Sequence, residues 1–167
     1  MNELILFSTE RCALGTALAA RSERGLCALL LGDRAAALVN ELQQRFPWAD
    51  LREDAATLKP LMSRVVSLID SPARGLDEPL DTRGTQFEQR VWRALQDIPA
   101  GAIETYGEVA RRLGVPRAAK EVGEACAANA IAVAIPCHRV VRKDGGLAGY
   151  RWGVRRKRAL LELERNG

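Results

Sequence analysis

The sequence has one histidine, His138, in 167 residues. A Cys/His metal cluster draws on several imidazoles and thiolates, so this chain is poorly supplied for one. Its four cysteines, Cys12, Cys27, Cys126 and Cys137, form no C-x-x-C pair, and zinc-finger and thioredoxin-like readings lack support. No run approaches the ~18 uninterrupted apolar residues that mark a transmembrane helix. The N-terminus, MNELILFSTER, is acidic early and lacks the basic start and long apolar stretch of a signal peptide. Internal repeats and low-complexity tracts are absent as well. These absences point to a cytoplasmic protein that does not enter a membrane and whose cysteines stay as thiols.

What is present suits one domain, or two small ones sharing an interface. With 47% apolar residues a real core can form, and 28% charged residues supply a hydrated surface. The charge is uneven: residues 1–80 carry net −2 and residues 81–167 net +6, together the chain's +4. A basic C-terminal half is a modest hint of a polyanionic partner, because solvated basic faces are common. Cys27 in GLCALLL and Cys126 in EACAAN sit among small and apolar neighbours and read as core packing.

ELILF (3–7) and GLCALLL (25–31) read as short apolar strands. Asp33 is placed to cap a helix running to about Phe46, where Pro47 stops it. A second helix is expected from about Ala55 to Ile69, with Leu61, Val65, Leu68 and Ile69 near helical spacing. SPARGLDEP (71–79), rich in Pro, Gly and charge, reads as a linker and divides the chain into residues 1–79 and 80–167. Thr85 and Glu88 then form a capping box before a helix whose apolar face is Phe87, Val91, Trp92 and Leu95, ended by Pro99. Thr105 and Glu108 repeat the box for a short helix to about Leu113, with Gly114 after it. Pro116 is expected to start the next helix, with Ala119, Val122 and Cys126 on one side. Two short helices joined by a tight Gly-containing turn make a helix-turn-helix candidate, with an ordinary helical hairpin as the rival. The last helix is expected from about Val154 to Glu164, and its RRKR (155–158) reads as a solvated face.

IPCHRVV (135–141) sets Cys137 beside the only histidine, with Pro136 in front. A free thiol has a pKa of about 8.5 and is mostly protonated at neutral pH. A nucleophilic cysteine needs something to take its proton, and His138 is the one imidazole available. Neighbouring side chains on a strand diverge, so a turn imposed by Pro136 would have to bring the two together, directly or through a water. A carboxylate would then orient the imidazole, and spacing does not choose among the several present. On this chemistry alone a nucleophilic cysteine and a buried packing cysteine stand level.

IPCHRVV, preceded by ACAAN and followed by GYRWGVRRK, resembles the O6-alkylguanine-DNA alkyltransferase (methylated-DNA–protein-cysteine methyltransferase) family, and within it the C-terminal part of bacterial Ada proteins. The resemblance is nearly continuous from about Leu80 to Glu164 and takes in PLDTRGTQFEQRVW and IPAGAIETYGEVARRLG. Over the first 80 residues it holds only in length and pattern. It implies an α+β fold: a small N-terminal antiparallel sheet with helices, ribonuclease-H-like, and a helical C-terminal domain with a helix-turn-helix, winged-helix-like. It implies direct DNA repair, in which the protein's own cysteine takes the alkyl group from guanine O6 irreversibly and once per molecule, with O4-alkylthymine as a further candidate substrate. No cofactor, metal or obligate protein partner is implied. The partner is double-stranded DNA, entered from the minor groove with the alkylated base flipped out.

By this resemblance Cys137 is the acceptor, His138 the base acting through a water, and Glu164 the carboxylate behind it, so Cys137 is expected to titrate below the free-thiol value. Tyr106 would donate to the flipped guanine. The substrate- and DNA-binding set is Lys120, Gly123, Asn129, Arg139, Val140, Gly149, Tyr150 and Arg151. Within it, Asn129 ties the recognition helix (about Arg117 to Ala128) to the active-site strand. The backbone around Val140 and the Gly149–Tyr150 loop line the base pocket, and Arg139 is structural. Without the resemblance Glu164 reads as a solvated helix-end charge, Tyr106 as a packed aromatic and Asn129 as a helix C-cap. The sequence also departs from the family. Lys120 stands where arginine is usual and lacks its planar, stackable guanidinium. Glu121 and Glu124 add negative charge to the face expected to meet phosphates, and all three changes should weaken DNA binding. Three other readings compete. A non-catalytic damage sensor would lack the acceptor cysteine, a helix-turn-helix regulator would leave Cys137 and His138 idle, and a cysteine hydrolase would turn over.

Overall fold

The computed structural model describes residues 2–147 and 149–166. ELILF grows into a longer strand, β1 (Leu4–Cys12), because its polar second half pairs with β2 (Gly15–Ser22). β2 is not announced by the sequence: GTALAARS is mostly small residues, and Thr16 to Ala20 are buried on both faces, so no two-residue alternation shows. β3 (Gly25–Gly32) is the expected GLCALLL strand and completes an antiparallel meander. A fourth strand, β4 (Asp50–Glu53), adds beside β1 and parallel to it, giving the order β3-β2-β1-β4. The sheet is therefore mixed, where an antiparallel one was expected. The sequence DLRE is too short and too polar to announce a strand.

Two helices, α1 (Ala35–Arg45) and α2 (Ala55–Asp70), pack on this sheet. Asp54 caps α2 through its bond from the Thr57 amide, and the helix buries Leu58, Leu61, Val65 and Leu68. Each such side chain contributes about 1.5–3 kcal/mol when fully buried. The expected cap of α1 by Asp33 does not form. Arg34 takes the cap position without a side-chain bond, and Asp33 accepts a 2.6 Å bond from Arg156 Nη2 across the molecule.

The linker is held in place. After a 3₁₀ turn at Pro72–Arg74, it runs beside β3, where Leu26 N donates to Pro79 O and Asp81 N to Leu26 O, both at 2.8 Å. Gly25 permits this approach, since its φ is +144° and a Cβ there would lie 2.3 Å from the Pro79 oxygen. The same edge takes a second segment: Leu29 N donates to Ala130 O, and Ala132 N to Leu29 O, both at 2.9 Å. The stretch that leads into Cys137 is thus pinned to the N-terminal sheet.

Both capping boxes form, at the starts of α3 (Gln86–Gln96) and α4 (Tyr106–Arg112). The next helix, α5 (Ala119–Ala128), begins later than Pro116. Pro116 lies instead inside a turn closed by a 2.9 Å bond from Ala118 N to Val115 O. The Trp92 indole joins α3 to α5 through a 2.8 Å bond to Ala125 O. A two-residue ladder pairs β5 (Glu104–Thr105) in parallel with β6 (Val140–Val141), and α6 (Val154–Asn166) completes the chain. Buried residues of both parts form one core, in which Cys27 and Cys126 are packing residues as expected. Among the described residues, no helix is long and apolar enough to cross a membrane.

Candidate active site

Pro136 turns the chain into a 3₁₀ helix, Cys137–Arg139, which aims three consecutive side chains in different directions while all stay buried. The Cys137 thiol accepts a 3.3 Å bond from Asn129 Nδ2. Asn129 is wholly buried at the end of α5. The same amide donates to Ile135 O at 3.0 Å, and its Oδ1 accepts from Ile131 N at 2.9 Å. It therefore staples both ends of the 129–137 loop and touches the sulfur. Val133, in this loop, has φ +68°, a costly conformation for a β-branched residue, and the staple helps to hold it.

His138 and Glu164 meet as expected, with Nε2 and Oε2 3.0 Å apart and both side chains out of solvent. Burial pushes the imidazole below its ordinary value, although Glu164 works the other way. Burial alone would raise the Glu164 carboxyl, but bonds from His138 and Arg139 outweigh it and hold the group below the usual range. A neutral imidazole facing a carboxylate donates its Nε2–H. Nδ1 is then the free acceptor, and it has no partner among the described residues. Arg139, grouped with the DNA-binding set but expected to be structural, is turned inward. Its Nε donates to Glu164 at 2.8 Å and its Nη1 to Ile98 O at 2.7 Å, and Nη2 also reaches Glu164.

The thiol itself departs from expectation. Burial pushes Cys137 up to about 11, overriding the lowering by the Asn129 amide and by Lys157. In this state the sulfur is a protonated thiol at neutral pH.

Tyr106 opens α4 and is half-buried, its phenol pushed up to about 12 mainly by burial. A Cβ placed on Gly149 would lie 3.7 Å from the Tyr106 hydroxyl, and one on Gly123 would lie 3.8 Å from its ring. The α5 face and the Gly149 loop thus flank the phenol. Tyr150 is buried and stacks edge-on against Trp152 at 5.4 Å, with its hydroxyl unpaired among the described residues. The Val140 side chain is core, and its backbone pairs with Glu104 in the β5–β6 ladder. Arg151 is exposed but engaged, donating to Glu41 on α1 and to Ala127 O, both at 3.3 Å. Lys120 lines an open cleft with Tyr106, Gly123, Arg111, Arg142 and Lys143.

The last three cations were missed in the sequence reading, and only their number in a basic half hinted at them. Lys157 was also missed. Read within RRKR as part of a solvated face, it is only 1% exposed, and Arg156 beside it is tied to Leu14 O at 2.9 Å. The available signal was spacing, since Lys157 lies seven residues before Glu164 on one side of a helix.

Residues 86–166 match the family description "6-O-methylguanine DNA methyltransferase, DNA binding domain". The chain is 47% identical over 163 residues to the bifunctional transcriptional activator/DNA repair enzyme Ada of Escherichia coli, covering 98% of this chain and 46% of that protein. It is 37% identical over 123 residues to the inducible methylated-DNA–protein-cysteine methyltransferase of Bacillus subtilis, covering 74% and 69%. Among solved structures, Mycobacterium tuberculosis OGT in complex with DNA superposes with a TM-score of 0.81 at 34% identity, over 96% of this chain and 93% of that one. The chain spans about half the length of the Ada protein it matches. Sequence and structure agree that this chain belongs to the O6-methylguanine-DNA methyltransferase family.

Proposed function

We propose that this chain repairs alkylated DNA directly, moving the alkyl group of O6-alkylguanine to the Cys137 sulfur once and irreversibly. The carrying observation is the arrangement of Cys137, Asn129, His138 and Glu164: a buried sulfur beside a neutral imidazole whose other nitrogen is committed to a carboxylate. The Cys137 proton passes to His138 Nδ1 through a water. The sulfur attacks the alkyl carbon, the S–C bond forms as the C–O6 bond breaks, and the bonding pair leaves with guanine. A hydrogen bond from the Tyr106 hydroxyl assists that departure, and guanine takes up the proton. The thioether remains, so no hydrolytic step is needed.

The partner is duplex DNA, met from the minor groove by α4 and α5, with the damaged base turned out against Tyr106 and the Gly149 loop. Lys120, Arg111 and Arg142 supply charge toward phosphates, and Gly123 lets the backbone come close. Arg151 braces the loop through Glu41, while Asn129, Val140 and Tyr150 shape the pocket. The winged-helix-like reading rests on α4, α5 and the β5–β6 ladder, and the ribonuclease-H-like reading on the N-terminal sheet and its helices. Residues 1–79 and 80–167 are read as two units, and the setting as the cytoplasm. A purely DNA-binding role would leave the buried sulfur and imidazole unexplained.

The test is intact-protein mass spectrometry after mixing with O6-methylguanine duplex. One methyl group per molecule, mapped to Cys137 and absent from Cys137→Ser, is expected. Methyl on Cys12, Cys27 or Cys126 with Cys137 bare would overturn the assignment.

A further inference from the structure

Lys157 is buried more deeply than any other described cationic side chain. An ammonium out of water costs several kcal/mol unless an anion answers it. No carboxylate among the described residues lies within ion-pair range of it. A methionine would fill the same space without that cost, so the charge itself calls for a reason.

Its neighbours supply one. The residues that α6 buries are Lys157, Leu160 and Glu164, and this helix packs against the Cys137–Arg139 turn. Glu164 is already engaged by His138 and Arg139. Burial pulls Lys157 below its ordinary value, and Cys137 and Cys126 on α5 work the other way, which puts both sulfurs within its electrostatic reach. The other ionisable groups around the sulfur are His138, Tyr150 and Tyr106. Cys126 is buried packing and both phenols resist ionisation. Among these groups the sulfur of Cys137 is the one that must become an anion during the transfer.

We propose that Lys157 is the counter-charge of the Cys137 thiolate, a residue that stabilises the sulfur anion without touching the alkyl carbon. This rests on Cys137 being the alkyl acceptor. As the thiol proton leaves for His138, a negative charge appears on sulfur in a water-poor site, where a fixed cation is worth far more than in solution. Arg139 cannot serve, because its guanidinium is held by Glu164 and Ile98 O. Lys157 also disfavours a lasting positive charge on His138, which suits an imidazole that must pass its proton on to the departing guanine. The electron balance is that of the transfer above: sulfur gives its pair to carbon, and guanine keeps the pair of the broken C–O6 bond and is protonated. The product thioether is neutral.

The test follows carbamidomethylation of Cys137 by iodoacetamide, resolved by peptide mass spectrometry from neutral pH up through the raised range of a buried thiol. Lys157→Met keeps the packing and removes the charge. It should move the midpoint for Cys137 upward by about one unit and slow the neutral-pH reaction about tenfold. Lys157→Arg should retain most of the rate. A midpoint unmoved in Lys157→Met overturns the proposal, because a packing role alone does not move it. A second arm needs no variant. The carbon NMR signal of the Lys157 side chain is titrated in the native protein before and after Cys137 is methylated. Loss of the sulfur anion should lower the lysine midpoint, and identical curves overturn the proposal. If O6-methylguanine DNA leaves Cys137 unmodified by mass, the site reading falls and this inference with it. If methyl arrives but neither midpoint moves, only the role of Lys157 is wrong.

Discussion

His138 Nε2 stands 3.0 Å from Glu164 Oε2 with both side chains out of solvent, and the same carboxylate oxygen also holds Arg139. One anion thus serves two neighbours of opposite purpose. It holds an imidazole that is neutral at rest and neutralises a guanidinium that never is. The pair gives the fold a pH signature. His138 has a folded value below its unfolded one, so the unfolded chain binds the proton first. Its contribution is complete above the imidazole's ordinary value and is lost as pH falls toward the lower folded value. Glu164, also lowered, contributes above the ordinary carboxyl value and loses that contribution further into acid. Thermal midpoints should therefore fall in two stages on acidification. His138→Gln should remove the first stage and keep the second, and a single-stage curve shared by both proteins would contradict this.

Glu164→Gln is expected to be more than a mild catalytic lesion. It leaves Arg139 buried without an anion, and breaking a buried pair from one side costs about 3–5 kcal/mol. Urea unfolding should show a loss near the lower end of that range, since the amide oxygen still accepts one bond. Methyl transfer should slow at a pH and temperature where the variant is fully folded. Pairing it with Arg139→Met should recover part of the stability and none of the rate, separating the two duties of Glu164.

Tyr106→Phe keeps the ring that lies near Gly123 and removes the hydroxyl that lies near Gly149. Loss of a positioned donor to the leaving base should slow transfer from O6-methylguanine DNA by about 100-fold. Iodoacetamide needs no base as leaving group, so its rate at Cys137 should stay within about twofold, far below the effect of losing a catalytic proton donor. Equal loss in both assays would mean that the ring position, and not the hydroxyl, had been disturbed.

The parts of the site that were legible in sequence are local ones. Thr85 with Glu88, and Thr105 with Glu108, state their helix starts within four residues, and the structure contains both. Pro136-Cys137-His138 likewise states a turn with a thiol beside an imidazole. What failed depends on distant partners. Asp33 looked like a cap until Arg156, 123 residues away, took its carboxylate. β2 is invisible because burial on both faces erases alternation. Glu164 sits 26 residues from His138, and only family resemblance singled it out from other carboxylates. Lys157 was hidden by its neighbours, since three arginines around it read as one solvated face. Its burial is a property of the packed helix and of no short window.

DNA engagement is expected to limit this protein, and α5 is where to see it. Lys120, Glu121 and Glu124 are all exposed. Lys120 and Glu124, four apart, share one helical stripe, and Lys120 lines the cleft beside Tyr106. A guanidinium at position 120 could stack in the space a flipped base leaves, which an ammonium does not do. Removing the Glu124 charge relieves repulsion from phosphates worth about 0.5–1 kcal/mol at low salt. Lys120→Arg and Glu124→Ser should each tighten duplex binding a few-fold at low salt, and each should speed repair of a lesion within DNA. Neither should change the reaction with free O6-benzylguanine, which needs no groove contact and no flipping. The gain from Glu124→Ser should shrink as salt is added, because its origin is electrostatic. If the free-base rate rises as much as the DNA rate, the substitutions act on the pocket or the thiol, and α5 is not the helix that meets the groove.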